Sequence, residues 1–132
     1  MSEGQAINRI TGIIIEEAIR IHREIGPGLL ESVYEAVLAK RLRARGLQVE
    51  CQVPTRVVID DEVFPLGFRM DMFVEGKVIV ELKSMEDVPA VDFKRVQTYL
   101  RLSDTRIALM INFGKDTLLE GLSRIANKYI ED

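Results

Sequence analysis

The chain has 132 residues, of which 47% are hydrophobic and 30% charged, a composition that fits one globular domain with one core over residues 1–132. The single cysteine, Cys51, excludes an internal disulfide, and one Cys with one His excludes a Cys/His zinc cluster. The net charge of −3 shows none of the basic excess usual in a non-specific nucleic-acid binder, and no apolar run is long enough to span a bilayer. With no basic-then-apolar leader at the N-terminus, the expectation is a cytoplasmic protein without a membrane partner.

Ile7, Ile10, Ile14, Ala18, Ile21 and Ile25 recur at spacings of three and four, which predicts an amphipathic helix over residues 6–25, stopped by Gly26-Pro27-Gly28. A second helix is expected over 29–45, with Leu30, Val33, Val37 and Leu42 near one stripe and Gly46 as its C-terminal cap. The period then changes. Residues 48–59 read as a strand interrupted at Pro54, Asp60-Asp61 as a turn, and 62–74 as a second strand kinked near Pro65-Leu66-Gly67. Glu75-Gly76-Lys77 is a second turn, and 78–84 a third strand. Residues 88–102 are helical, 106–112 form a fourth strand, and 117–130 fit either a short strand or an amphipathic helix. Three strands in succession, then a crossover helix into a fourth, imply an α/β fold: a central mixed four-stranded sheet flanked by helices, in the order α-α-β-β-β-α-β plus a tail.

The third strand, "VIVELKS", carries Glu81 and Lys83 inside an aliphatic run, two apart and therefore on one face. With a three-residue loop at Glu75-Gly76-Lys77, Val74 faces Val78, and the count outward brings Asp71 opposite Glu81. A two-residue loop would send Glu81 to the other face. Two carboxylates at ~4 Å repel by about 4 kcal/mol at an effective dielectric of ~20. One acid can keep a proton, Lys83 and an arginine can neutralise both, or a divalent cation can sit between them. Oxygen-rich sites with few protein ligands suit Mg²⁺ or Mn²⁺. A buried ion pair of Glu81 with Lys83 or Arg69 that merely fixes register is an equal contender on strand pattern alone.

Asp71, nine residues, then Glu81-Leu82-Lys83 resembles the D…(D/E)xK motif of the PD-(D/E)XK (restriction endonuclease-like) nuclease superfamily. Upstream, Gly28, Glu31 and Tyr34 stand as G-x-x-E-x-x-Y and resemble the GxxExxY protein family, usually placed within that superfamily; "IHREIGPGLLE", "DMFVEGKVIVELKS", "TYLRL" and "INFG" extend the similarity over most of the chain. The resemblance implies the three-layer restriction endonuclease-like fold and a metal-dependent nuclease acting on DNA. Asp71 and Glu81 would bind Mg²⁺ (or Mn²⁺), with Glu31 as the helix acid directed to the metal and the Leu82 carbonyl as a further ligand. Lys83 would orient or help deprotonate the attacking water, leaving a 5′ phosphate. Tyr34, Tyr99 and Arg95 are the substrate-side candidates, and a second subunit, as a homodimer, would supply enough binding surface. Related chains carry Gln four residues before the Tyr of the "YL" motif. Here that position is Arg95, and Gln97, two residues before Tyr99, falls on another helix face.

Structural readings stand beside these. An acid in the first turn of a helix, such as Glu31, is favourable with the dipole, and Tyr34 and Tyr99 fit a core with the hydroxyl satisfied. His22 reads as a core-edge histidine and Cys51 as an inert small core residue. Lys40, Arg41, Arg43 and Arg45 read as a solvated helix face, with DNA backbone contact as the alternative. The competing functional reading is a catalytically inactive nuclease-fold module that binds nucleic acid or a protein partner; a small-molecule metallohydrolase has no pocket signature in the sequence.

Overall fold

The computed structural model describes residues 1–127. The elements in chain order are α1 (Glu3–Ile25), α2 (Glu31–Ala44), β1 (Val49–Ile59), β2 (Glu62–Val74), β3 (Val78–Lys83), α3 (Ala90–Leu102), β4 (Ile107–Asn112) and β5 (Leu122–Ala126), with a 3₁₀ turn at Leu119–Gly121 before β5. The first helix begins earlier than its apolar period suggests. Ser2 accepts from the Gln5 N–H while the Gln5 side chain accepts from the Ser2 N–H, a reciprocal capping box that satisfies the first turn.

The sheet has five strands in the order β1-β2-β3-β4-β5, one more than the sequence led us to expect. The ambiguous 117–130 segment resolves into β5, antiparallel to β4 from Ile107↔Ala126 to Ile111↔Leu122; its residues 128–130 lie outside the described residues. Only β3 and β4 pair in parallel, joined across the sheet by α3, and the other neighbours are antiparallel. Pro54 does not interrupt β1. It pairs with Arg69 on the edge strand, where proline's missing N–H faces no neighbour. The irregularity falls instead between Thr55 and Val57, where Pro65, Leu66 and Gly67 of β2 lie against Arg56 alone.

Each face of the sheet carries its own core. Ile14, Ile21, Tyr34, Leu38 and Leu42 of α1 and α2 pack on Met72, Val74, Val78, Val80, Leu109 and Ile111. Val96 and Leu100 of α3 pack on Met70, Ile79, Ala108 and Met110. Burial on both faces explains the unbroken aliphatic runs of β3 and β4. Helices on both faces of a mixed sheet give the three-layer α/β arrangement that the resemblance implies.

One feature of β2 breaks the alternation of a flat strand. Met72 belongs to the α1/α2 core and Met70 to the α3 core, although residues two apart in a strand share a face. The partner strand does the same, with Cys51 on one side and Val53 on the other. Between them lie Gln52 and Asp71. Gln52 has φ 53, a left-handed conformation uncommon outside glycine, asparagine and aspartate. The β1–β2 hairpin turns over at this point, and Asp71 stands at the corner.

Candidate active site

The hairpin register follows the three-residue loop. Glu75 and Gly76 both take positive φ, and the pairs run Val74↔Val78, Phe73↔Ile79, Met72↔Val80. The ladder stops there because β2 turns over at Asp71. Beyond the fork the Leu82 N–H has lost a backbone acceptor on β2, and Asp71 Oδ2 takes its place at 2.8 Å. The side chain that ends the ladder is thus held against the backbone of the strand that carries Glu81 and Lys83.

Glu81 is buried, 8% exposed, and its Oε1 has no hydrogen-bond partner among the described residues. Burial pushes its pKa from 4.5 to about 9, with the charge and side-chain hydrogen bond of Asp71 pushing the same way and the Asp71 backbone hydrogen bond and the Lys83 charge opposing. Without a cation, a pKa raised this far keeps the proton on Glu81 at neutral pH.

Lys83 does not close an ion pair with Glu81. Its Nζ lies 3.5 Å from Oδ2 of Asp92, in the first turn of α3, and Asp92 Oδ1 accepts from Arg95 Nη1 at 2.6 Å. Tyr99, one turn on from Arg95, stacks on Phe68 with ring centroids 4.2 Å apart. Burial raises its pKa, with Glu81 adding to the rise and Arg95 opposing it, so the phenol remains a neutral donor. Gln97 faces elsewhere and donates to the Ala126 carbonyl on β5 at 3.2 Å. It does not take the place of the glutamine that Arg95 replaces.

On the opposite flank, Glu31, Ser32, Glu35, Gln52, Asp71 and Leu82 line a cleft of about 380 Å³. Glu31 is the first residue of α2 and exposed, at the rim rather than against the acid pair. No three His, Cys, Asp or Glu side chains converge on a common metal position among the described residues, so the expected trio of Asp71, Glu81 and Glu31 is not gathered. Glu35, which the motif reading passed over, sits deeper in the same cleft. Gln52 donates to it at 2.6 Å, and its pKa is raised by burial first and by Asp71 in addition. Its i+4 spacing from Glu31 was the available signal.

Tyr34 is placed in the core, not on the substrate side. It is fully buried and stacks on Phe113 at 4.2 Å; its hydroxyl donates to the Gly26 carbonyl at 2.6 Å and accepts from the Leu29 N–H at 3.2 Å. Gly26 and Gly28 take φ of 81 and 111, which glycine alone adopts without strain. The Ser84 hydroxyl donates to the Leu29 carbonyl at 2.5 Å, tying this loop to the end of β3. The G-x-x-E-x-x-Y segment thus docks the start of α2 beside Lys83.

The "INFG" segment braces the same region. Asn112 Oδ1 accepts from the N–H groups of Met85 and Gly114, and its amide donates to the Met85 carbonyl at 2.8 Å. A Cβ on Gly114 would lie 2.2 Å from the Met85 oxygen.

His22 and Cys51 take the structural roles expected of them. His22 Nε2 bonds the Lys115 carbonyl at 2.8 Å, and burial raises the Cys51 thiol pKa. The basic stretch of α2 is largely engaged within the fold: Arg41 pairs with Glu24, Arg45 with Glu16 and Glu17, and Arg43 donates to the Val49 carbonyl.

The model of the PD-(D/E)XK nuclease superfamily matches residues 8–125. The chain belongs to the PD-(D/E)XK nuclease superfamily. Among solved structures, the chain is similar to the crystal structure of SSO0001, at 16% identity and a TM-score of 0.46, over 89% of this chain and 66% of that one. No curated protein matches. Membership suggests nuclease activity and implies nucleic-acid binding, and nucleases of this superfamily typically use divalent metals. The donors present fit such a metal: a buried carboxylate oxygen without a partner beside a second carboxylate is a hard, oxygen-only set. No helix among the described residues is long and apolar enough to cross a membrane.

Proposed function

We propose that this chain is a single-domain, Mg²⁺- or Mn²⁺-dependent nuclease of the GxxExxY group that hydrolyses phosphodiester bonds in DNA, working as a homodimer in the cytoplasm. The observation that carries this reading is the buried Glu81 carboxylate beside Asp71, one oxygen of which has no hydrogen-bond partner among the described residues, two residues from Lys83. In a folded core such an acid is unfavourable, and a role in function accounts for it.

Asp71 and Glu81 would hold the ion, with the Leu82 carbonyl beside them and Glu31 or Glu35 reaching it through water across the cleft. A bound divalent ion would supply a more acidic water and neutralise charge developing on the phosphate. Lys83 orients the attacking water and stabilises the negative charge of the transition state. Arg95, with its side chain 51% exposed, contacts phosphate, and the neutral Tyr99 hydroxyl donates a hydrogen bond to the substrate. Tyr34 acts only by docking the loop before α2.

The test is cleavage of plasmid and oligonucleotide DNA with Mg²⁺ or Mn²⁺. Wild type cleaves, and Lys83→Ala lowers the rate by at least about 10²-fold while still taking up metal. Metal uptake without cleavage of any nucleic acid would favour the second reading, a non-catalytic binding module. The net charge of −3 and Arg95 in place of glutamine lean toward that alternative.

A further inference from the structure

Glu81 and Lys83 stand on one face of β3, and an ammonium beside a buried carboxylate would ordinarily close on it. Here it does not. Glu81 Oε1 has no partner among the described residues, while Lys83 Nζ lies 3.5 Å from Oδ2 of Asp92. Asp92 is well placed to hold it. Its side chain is 12% exposed, and it lies in the first turn of α3, where the helix N-terminus favours a negative charge. Its other oxygen takes Arg95 at 2.6 Å, which fixes the carboxylate against rotation. No residue of the D…(D/E)xK motif supplies this contact; it comes from α3, which packs on the face of β3 that Ile79, Glu81 and Lys83 share.

We infer that Asp92 is a positioning residue: it draws the Lys83 ammonium away from Glu81 and so keeps the Asp71–Glu81 notch open to a divalent cation. The inference rests on the reading of that notch as a metal site. Without Asp92, the described acid nearest to Lys83 in sequence and on its own strand face is Glu81. The amine then competes with the cation for the same carboxylate. Asp92 acts through Lys83 and touches no ion itself, so its effect vanishes once the amine is removed.

Calorimetric titration of Mn²⁺ into the folded chain at one fixed pH tests this without reference to cleavage. Asp92→Asn, which keeps the shape of the side chain, binds Mn²⁺ about fivefold more weakly than wild type, the scale of one competing ion pair. Adding Lys83→Met to Asp92→Asn restores the affinity, and Asp92→Glu, which retains the hold on the ammonium, stays within about twofold of wild type. A double variant as weak as Asp92→Asn would make Asp92 a ligand or a structural support and overturn the inference. So would an Asp92→Asn protein that binds as tightly as wild type, which leaves the metal-site reading intact. Failure of the wild type itself to take up Mn²⁺ would overturn both.

Discussion

Replacing Glu81 with glutamine should make the protein more stable and abolish its metal site, and the gain should depend on pH. In the absence of a cation the pKa of Glu81 is raised from 4.5 to about 9, by burial first and by Asp71 second. Below about pH 4.5 the folded and unfolded chains both carry the proton, and the residue is neutral in each. Between about 4.5 and 9 the folded chain keeps a proton that the unfolded chain has released, so rising pH favours unfolding. At 1.36 kcal/mol per pH unit this is roughly 3 kcal/mol by pH 7 and roughly 5 kcal/mol by pH 8.5. Glutamine has no proton to lose, and its shape is nearly that of the protonated acid. Glu81→Gln should therefore match wild type near pH 4.5 and exceed it by about 3 kcal/mol at pH 7, or about 10 °C in Tm for a domain of this size. Urea unfolding in EDTA at pH 5, 7 and 8.5 measures the difference. Saturating Mn²⁺ should stabilise wild type and leave Glu81→Gln unmoved. An offset that is the same at all three pH values, or a variant less stable than wild type at pH 8.5, would refute the reasoning.

Tyr34→Phe leaves the stack on Phe113 but removes the hydroxyl that holds Gly26 and Leu29, and should lower stability by about 1–2 kcal/mol in urea unfolding. A Tyr34→Phe protein with native stability and lost DNA affinity would return Tyr34 to the substrate. Asn112→Ala strips two hydrogen bonds from Met85 in the loop after β3 and one from Gly114 after β4, and should cost about 2–4 kcal/mol by the same assay. Gly114→Ala places a methyl against the Met85 carbonyl and should destabilise the fold by more than about 3 kcal/mol, visible as a lowered Tm in circular dichroism.

Much of this was legible in the residues. The periods of α1, β3 and β4 marked their own element types, and the length of the Glu75–Lys77 loop fixed the register as far as Met72↔Val80; beyond it Asp71 meets β3 through its side chain, on the Leu82 N–H, rather than as the ladder partner of Glu81. Hidden were the features set by long-range contact. The capping box at Ser2 and Gln5 precedes the apolar period it extends. Five residues at 122–126 cannot be told from helix until β4 offers a pairing edge. Asp92 and Glu35 have no motif to mark them, since each matters only through a neighbour from another element. Tyr34 misled for the opposite reason: a motif tyrosine reads as functional, while its hydroxyl is consumed by the loop that the motif folds.

The central claim is that Asp71 and Glu81 together hold a divalent cation that takes the place of the Glu81 proton. Mn²⁺ titration at pH 7 in buffers of different ionisation enthalpy counts the protons released on binding. The account predicts about one proton per ion for the wild type and none for Glu81→Gln, which should take up no metal. Binding with no proton released, or undiminished binding by Glu81→Gln, would contradict it.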